Sequence, residues 1–364
     1  MKIELFVPPK FKYTPLSLVD LIKKTNKNYL YAASGRISLY HIIRNFSIKS
    51  IAIPTYLCNT VLEPLKRLNI KIYFYDIDVE DLNPSFESFK ELIKESEIDS
   101  VLVPSMYGNA ANLKEFEIFS KKNKILLIDD AAQSFGASLD EKMVGTFGDA
   151  GFFSFSPGKP TAGHLGAFYW IATEKSVKII RTKHCIFHMI KWYEFKINRL
   201  EIYNRNFIFK LIGLFLKVIN KLYIKFIDIY NDDICDNEKQ ILGGILNSIE
   251  NDKFLYREKY FYQFYRLYCE NKLFRIIKNI RGKPSPHKIV IVFKNNNYAE
   301  KFFKFFQINK INVLYGYTLL DNNLKFKNSV SLQGKIIELP IENNQIHMQY
   351  IFDKVNEFLE GEIK

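Results

Sequence analysis

The segment ILLIDDAAQSFGA, Ile125 to Ala137, opens on an apolar strand, Ile125 to Ile128, that delivers Asp129 and Asp130 to its carboxyl end. The same pattern recurs upstream. Helical spacing runs from Arg36 to Phe46, and a short apolar strand, Ile51 to Pro54, follows it. Val61 to Leu68 is helical, with Pro64 confined to its first turn, where a proline is tolerated. Ile72 to Ile77 reads as a strand, Phe86 to Leu92 as a helix, Val101 to Val103 as a buried strand and Leu113 to Lys122 as a helix. Short apolar strands alternating with helices predict an α/β fold with a mostly parallel sheet covered on both faces. Ligands of such sheets lie beyond the carboxyl ends of the strands, so the residues just after each strand are candidates for chemistry.

Downstream, the apolar runs AGFFSFS and GAFYWIA are joined by PGKPTAGHL, two strands with Lys159 in the connection. Residues 185 to 230 differ in being aromatic, basic and poor in turn signals. Within them, FIFKLIGLFLKVINKLYIKF places Lys210, Lys217, Lys221 and Lys225 on one face of a helix, with apolar residues around the rest. From about Asp236 onward the pattern is a long helix, the strand IVIVF, a helix and a final helix, which is a compact α+β unit.

The chain has 364 residues, long for one domain and natural for a large domain with a smaller one. It is 48% hydrophobic and 25% charged, which supports a substantial core and argues against disorder. No apolar run is long enough to cross a bilayer, and the start, MKIELFVPPKFKY, does not read as a secretory signal. Cys58, Cys185, Cys235 and Cys269 are widely spaced without a metal-ligand pattern, as reduced thiols of a cytoplasmic protein would be. The net charge of +13 comes from a lysine richness spread along the whole chain and selects no partner; no nucleic-acid motif is present.

Three pieces carry candidate chemistry. The Asp129–Asp130 pair can present a carboxylate to a cationic ring nitrogen; the plain alternative is an N-cap opening the next helix. In FFSFSPGKP, Lys159 follows a buried strand. An enclosed lysine can lose its proton and attack a carbonyl, and Ser154 can hydrogen-bond a phosphate. The alternative is a solvated loop lysine. In AASGRISL, a glycine-containing turn opens a helix whose free N–H groups suit an anion, with Arg36 adding a charged fork. The alternative is an ordinary helix cap.

Taken singly these signals are weak, but their order and spacing are specific. SGRISL, IAIPTYLCNTVLEPLKRLNIKIYFYDIDVEDLN, VPSMYGN, IDDAAQSFGA, VGTFGDAGFFSFSPGKPTAGHLGAF and ELPI at Glu338 to Ile341 together resemble the DegT/StrS-type nucleotide-sugar aminotransferase family. The likeness is strongest from residue 32 to 172 and thin from 175 to 230. It implies the aspartate-aminotransferase fold (fold type I) and pyridoxal 5'-phosphate as cofactor. It also implies a large cofactor-binding domain over residues 1–230 and a smaller C-terminal α+β domain over 231–364. By this resemblance, Lys159 is the Schiff-base lysine and proton shuttle, and Asp130 the partner of the pyridine nitrogen. Gln133 lies beside the ring and its phenolic oxygen. Ser154 with Gly35 and Arg36 forms the phosphate cradle, and Cys58 lies over the ring face. Asn231 falls near an asparagine that reaches the phosphate of a neighbouring subunit.

The chain departs from the family's pattern at Arg36, where a threonine is usual, and at Gly166-Ala167, usually Gly-Gly. Tyr230-Asn231-Asp232-Asp233 also lacks an arginine of the usual stretch. These bear on the substrate more than on the cofactor. Histidine at the lysine position would mark the dehydratase branch, and here that position is Lys159. The expectation is therefore a homodimeric, cytoplasmic transaminase moving an amino group from glutamate to a nucleotide-linked keto sugar in surface-polysaccharide or glycan synthesis. The alternatives are a non-nucleotide or lipid-linked keto acceptor, or a non-catalytic regulatory homologue. Residues 206 to 226 either lie on an anionic membrane or pack their apolar face on the large domain. Packing is the commoner fate and predicts that Phe207, Leu211, Leu214 and Phe215 are mostly buried.

Overall fold

The computed structural model describes residues 25, 27, 29–156, 158–160, 166–172, 207–226, 253–278, 280–341 and 344–363. The elements, in chain order, begin with β1 (Leu30–Ala32), α1 (Gly35–Phe46), β2 (Ser50–Pro54), a 3-10 turn (Asn59–Val61), α2 (Leu62–Arg67) and β3 (Lys71–Tyr75). There follow α3 (Phe86–Glu95), β4 (Ser100–Pro104), α4 (Leu113–Lys122), β5 (Leu126–Asp130), the hairpin strands β6 (Ser138–Leu139) and β7 (Lys142–Met143), β8 (Ala150–Ser154) and β9 (Ala167–Ile171). Then come α5 (Phe207–Phe226), α6 (Lys253–Tyr268), β10 (Phe274–Ile276), β11 (Lys288–Phe293), α7 (Asn296–Ile308), β12 (Leu314–Tyr315), α8 (Lys327–Leu332), β13 (Ile336–Pro340) and α9 (Gln345–Ile363).

Seven strands form one sheet in the order β1-β9-β8-β5-β4-β2-β3. The pairs β3–β2–β4–β5–β8 are parallel, and β9 runs antiparallel to both β8 and β1. Strands β2, β4 and β8 are buried along their whole length, as covering both faces requires. On one face Ile37, Ile42 and Ile43 of α1 pack against Ile53, Ile128 and Phe152. On the other, Phe89 of α3 and Phe116 of α4 pack against Val101, Val103 and Leu127. Helix α1 ends at Ser47, whose left-handed backbone lets its own N–H donate to Arg44 and that of Ile48 to Ile43. Gly151 in β8 has no room for a side chain: a Cβ there would strike the carbonyl of Gly145, which accepts the Trp170 indole N–H at 2.6 Å.

The strand expected to end at Ile128 continues through both aspartates, because Asp130 pairs with Pro104 on one side and Phe152 on the other. No helix follows Asp130, so the N-cap alternative falls; its Oδ1 accepts from the Ala132 N–H at 2.9 Å in a turn. The C-terminal residues build a four-stranded antiparallel sheet, β10-β11-β13-β12. Phe264 of α6, Phe302 and Phe306 of α7 and Val355 of α9 form its core. Strand β13, which contains Glu338 to Pro340 of ELPI, was not foreseen as a strand.

Several ties hold this second sheet to the first. Gly108, at φ +86°, accepts from the Ser285 N–H at 2.9 Å, and a side chain there would meet the Ser285 backbone. Arg281 pairs with the buried Asp81 at 2.6 Å. Asp76, at the end of β3, accepts from the N–H groups of Asn328 and Ser329 at the start of α8, at 2.8 and 2.9 Å.

Helix α5 departs from the packing expectation. Leu211, Leu214 and Phe215 are exposed, at 49%, 60% and 63%. Among the described residues of the helix only Gly213 is buried, and the large apolar side chains described there are turned outward. The side chains of Phe207, Lys210, Lys221 and Lys225 lie outside the described residues.

Candidate active site

Strand β5 alternates, and this separates the two aspartates. Asp129 points into the core on the α3–α4 face. Its Oδ2 accepts from Gly145 and Phe147 N–H groups at 2.6 and 3.0 Å, and its Oδ1 has no hydrogen-bond partner among the described residues. Burial pushes its carboxyl up to about 8. Asp129 thus anchors the turn at residues 145–147 and takes no part in the site.

This has a measurable consequence. A carboxyl whose folded value lies above its unfolded one stabilises most below about pH 4 and loses that contribution as pH rises toward 8. Asp129→Asn keeps both accepted bonds on its remaining oxygen and carries no charge. Denaturation from pH 4 to 9 should show the wild type losing several kcal/mol relative to the variant across that window. Parallel curves for the two proteins would contradict it.

Asp130 faces the opposite way and is 5% exposed. Burial raises its carboxyl to about 6, opposed by the Ala132 N–H and by the Lys159 cation. Lys159 lies in the β8–β9 connection, its backbone N–H donating to Ser156 at 3.2 Å. Burial lowers its ammonium below the ordinary lysine value. Cys58, Asp130 and Glu338 counter this shift, and Lys288 adds to it. The structure therefore brings Lys159, Asp130 and Cys58 into one electrostatic neighbourhood at the carboxyl ends of β8, β5 and β2.

Cys58 precedes the 3-10 turn, with its Sγ 3.1 Å from Thr60 Oγ1. Gly35 starts α1 directly against Ser154 and Phe152: a Cβ on it would lie 3.3 Å from Ser154 Cβ. Ser154 is buried, its hydroxyl 3.3 Å from that of Ser156. The intrahelical bonds of α1 begin with Ile37 and Ser38 donating to Ser34, after the N–H groups of Gly35 and Arg36. The Ser34 hydroxyl at this helix start is buried without a partner among the described residues. The guanidinium of Arg36 is ion-paired with Glu63, so what it offers an anion here is its backbone N–H. Gln133 is buried; its amide donates to Tyr317 OH at 3.3 Å and its Oε1 has no partner among the described residues. Asn231, Pro157 and residues 161–165 lie outside the described residues.

Sequence reasoning missed the polar wall around these groups. The Tyr317 N–H donates to Tyr56 OH at 3.2 Å, Tyr56 and Tyr107 hydroxyls meet at 2.6 Å, and Tyr107 donates to Glu338 Oε1 at 2.7 Å. Glu338 is in turn ion-paired with Lys288. His287 lies nearly parallel to the Tyr107 ring, with centroids 6.5 Å apart. Its burial, with the cations of Lys288, Arg257 and Lys159, holds the imidazole far below its ordinary value and therefore neutral. Tyr56 and Tyr107 sit just past the carboxyl ends of β2 and β4, so the rule applied to Asp130 would have found them. Arg257 of α6 donates to the Pro160 carbonyl and so fixes the lysine-bearing connection.

Residues 27–183 match the model of the DegT/DnrJ/EryC1/StrS aminotransferase family. A GDP-4-keto-6-deoxy-D-mannose 3-dehydratase of Escherichia coli O55:H7 is 34% identical over 104 residues, covering 29% of this chain and 26% of that protein. The chain thus spans about a quarter of that relative's length. A solved DegT DnrJ EryC1 StrS aminotransferase from Brucella abortus aligns over 96% of this chain and 91% of its own, with TM-score 0.67 at 16% identity. The E. coli GDP-4-keto-6-deoxy-D-mannose-3-dehydratase with bound hydrated PLP aligns over 94% and 89%, with TM-score 0.63 at 17% identity. The structural likeness establishes the fold: the α/β architecture of these fold type I proteins.

Proposed function

We propose, from the premise that residues 27–183 of this chain belong to the DegT/DnrJ/EryC1/StrS aminotransferase family, that the chain is a pyridoxal-phosphate-dependent aminotransferase. It moves an amino group from glutamate to a keto sugar carried on a nucleotide diphosphate, in the synthesis of a surface polysaccharide or other glycan. The observation that carries this reading is the convergence of Lys159, just beyond the end of β8, with the buried Asp130, at the end of the adjacent parallel strand β5.

The site suits the cofactor on its own residues. The start of α1 at Gly35 and Arg36 lies against Ser154, which offers N–H and hydroxyl donors to a phosphate. The unpartnered hydroxyl of Ser34 and amide oxygen of Gln133 are buried polar atoms that call for a polar group to fill the space. When bound, pyridoxal phosphate supplies a ring that stores the electron pair released at the substrate carbon. Asp130 would be the residue that favours a positive charge on that ring. Lys159, whose ammonium burial makes easier to deprotonate, would hold the cofactor and would accept and return the proton at the substrate carbon. Tyr56, Tyr107 and Tyr317 screen the site from water. Lysine at position 159 favours transamination over the histidine-based dehydratase chemistry. Residues 1–230 would hold the cofactor and 231–364 complete the cleft, with Asn231 reaching a neighbouring subunit of a homodimer.

A single-turnover assay tests the activity. The cofactor-loaded protein mixed with glutamate should release about one 2-oxoglutarate per site. A nucleotide-linked keto sugar should then discharge the amino group, whereas the free sugar should not. Failure to take an amino group from any amino acid would refute the transaminase reading. Discharge only by a non-nucleotide or lipid-linked acceptor would refute the substrate.

A further inference from the structure

Helix α5 carries an outward apolar face, marked by the exposure of its large side chains. Ile208, Leu211, Leu214, Phe215, Val218 and Leu222 are exposed, at between 49% and 63%. At 3.6 residues per turn their positions fall within an arc of about 120°. Gly213, the buried position, lies on the opposite side of the helix. Positions 210, 217, 221 and 225, all lysine, fall along one border of the apolar arc, within about 80° of one another. The helix contains no Asp or Glu, and the whole chain has a net charge of +13. An apolar face beside a basic border is complementary to a surface that is greasy beneath and negative at its rim.

We propose that residues 207–226 form a membrane-surface helix that seats the protein on an anionic phospholipid bilayer. Ile208, Leu211, Phe215 and Leu222 enter the boundary between headgroups and acyl chains, and the lysine border meets lipid phosphates. No described helix is long and apolar enough to cross a membrane, so the helix lies on the surface. A second copy of the chain is the other conceivable cover. An isologous pairing of this face would bring two lysine borders together with no carboxylate on either helix to offset them, and like charges brought together are unfavourable. The assignment does not depend on the transaminase reading.

The test is co-sedimentation of the full-length protein with vesicles of phosphatidylcholine alone or with about 30% phosphatidylglycerol. Low and high salt are compared, with light scattering of the vesicle-free protein alongside. Binding is expected on the anionic vesicles at low salt, weaker by tenfold or more on neutral ones, and reduced by salt. Phe215→Glu should abolish it. Lys217→Glu, at an exposed position, should weaken it by roughly fivefold or more. Neither change should alter the oligomeric state or the circular dichroism spectrum. Three results would overturn the proposal: no binding to anionic vesicles at low salt, binding by both variants as strong as the wild type's, or a Phe215→Glu protein that dissociates into smaller species. The last would assign the face to a second copy of the chain.

Discussion

Replacing Lys159 with alanine is expected to lower transamination by roughly 10^4-fold, since one side chain supplies both the attacking amine and the moving proton. Lys159→Arg should be as damaging despite its charge, because a guanidinium cannot be deprotonated in a protein. Borohydride treatment of the loaded wild type should add the cofactor's mass to the peptide bearing Lys159, and to no peptide of either variant. Lys288 is the competing amine, also charged toward this site, but it is ion-paired with Glu338 and held at the start of β11. Label found on the Lys288 peptide, or a Lys159→Ala protein with a tenth of normal turnover, would overturn the assignment.

Asp130→Asn should lower kcat on the order of 10^3-fold while cofactor binding persists through the donors at Ser154 and the start of α1. The carboxylate at the ring nitrogen is what the reaction requires, and an amide cannot hold the same charge. Burial, only partly offset by the Ala132 N–H and the Lys159 cation, raises Asp130 to about 6, so in the cofactor-free protein it ionises only as pH rises past that value. Its stability contribution is greatest below about pH 4 and declines toward pH 6. A bound cation should reverse that trend by favouring the carboxylate. Stability profiles of the cofactor-free and loaded proteins should therefore diverge between pH 4 and 6. Near-normal turnover by Asp130→Asn would remove the role.

The large sheet was legible because its strands are short apolar runs buried on both faces, and its helices carry the complementary spacing. Alternation along β5 then decides between two adjacent aspartates, which spacing alone could not do while the strand was taken to end at Ile128. Lys159, Ser154 and Gly35 were readable from their places at element ends. Tyr56 and Tyr107 stand at such ends too, but the wall they build with Glu338 was not readable. Tyr107 and Glu338 are 231 residues apart, and their hydrogen bond depends on how two sheets meet. The fate of α5 was likewise unreadable. The same apolar arc serves a packed helix or an uncovered one, and the exposure of Leu214 and Phe215 distinguishes them.

Asp76 gives the fold an order of assembly in time. Its buried carboxylate accepts from Asn328 and Ser329, and the hydroxyls of Thr55 and Ser329 meet at 2.5 Å. A chain leaving the ribosome completes β9 at Ile171 well before those partners exist. At typical synthesis rates the interval is roughly 10–30 s. Throughout it, the carboxyl ends of β2 and β3 stand open to water, which solvates Asp76 in place of α8. Tyr107 likewise waits for Glu338. The site therefore closes last, when the final quarter of the chain arrives, so a nascent or truncated chain can hold a formed sheet and no finished cleft.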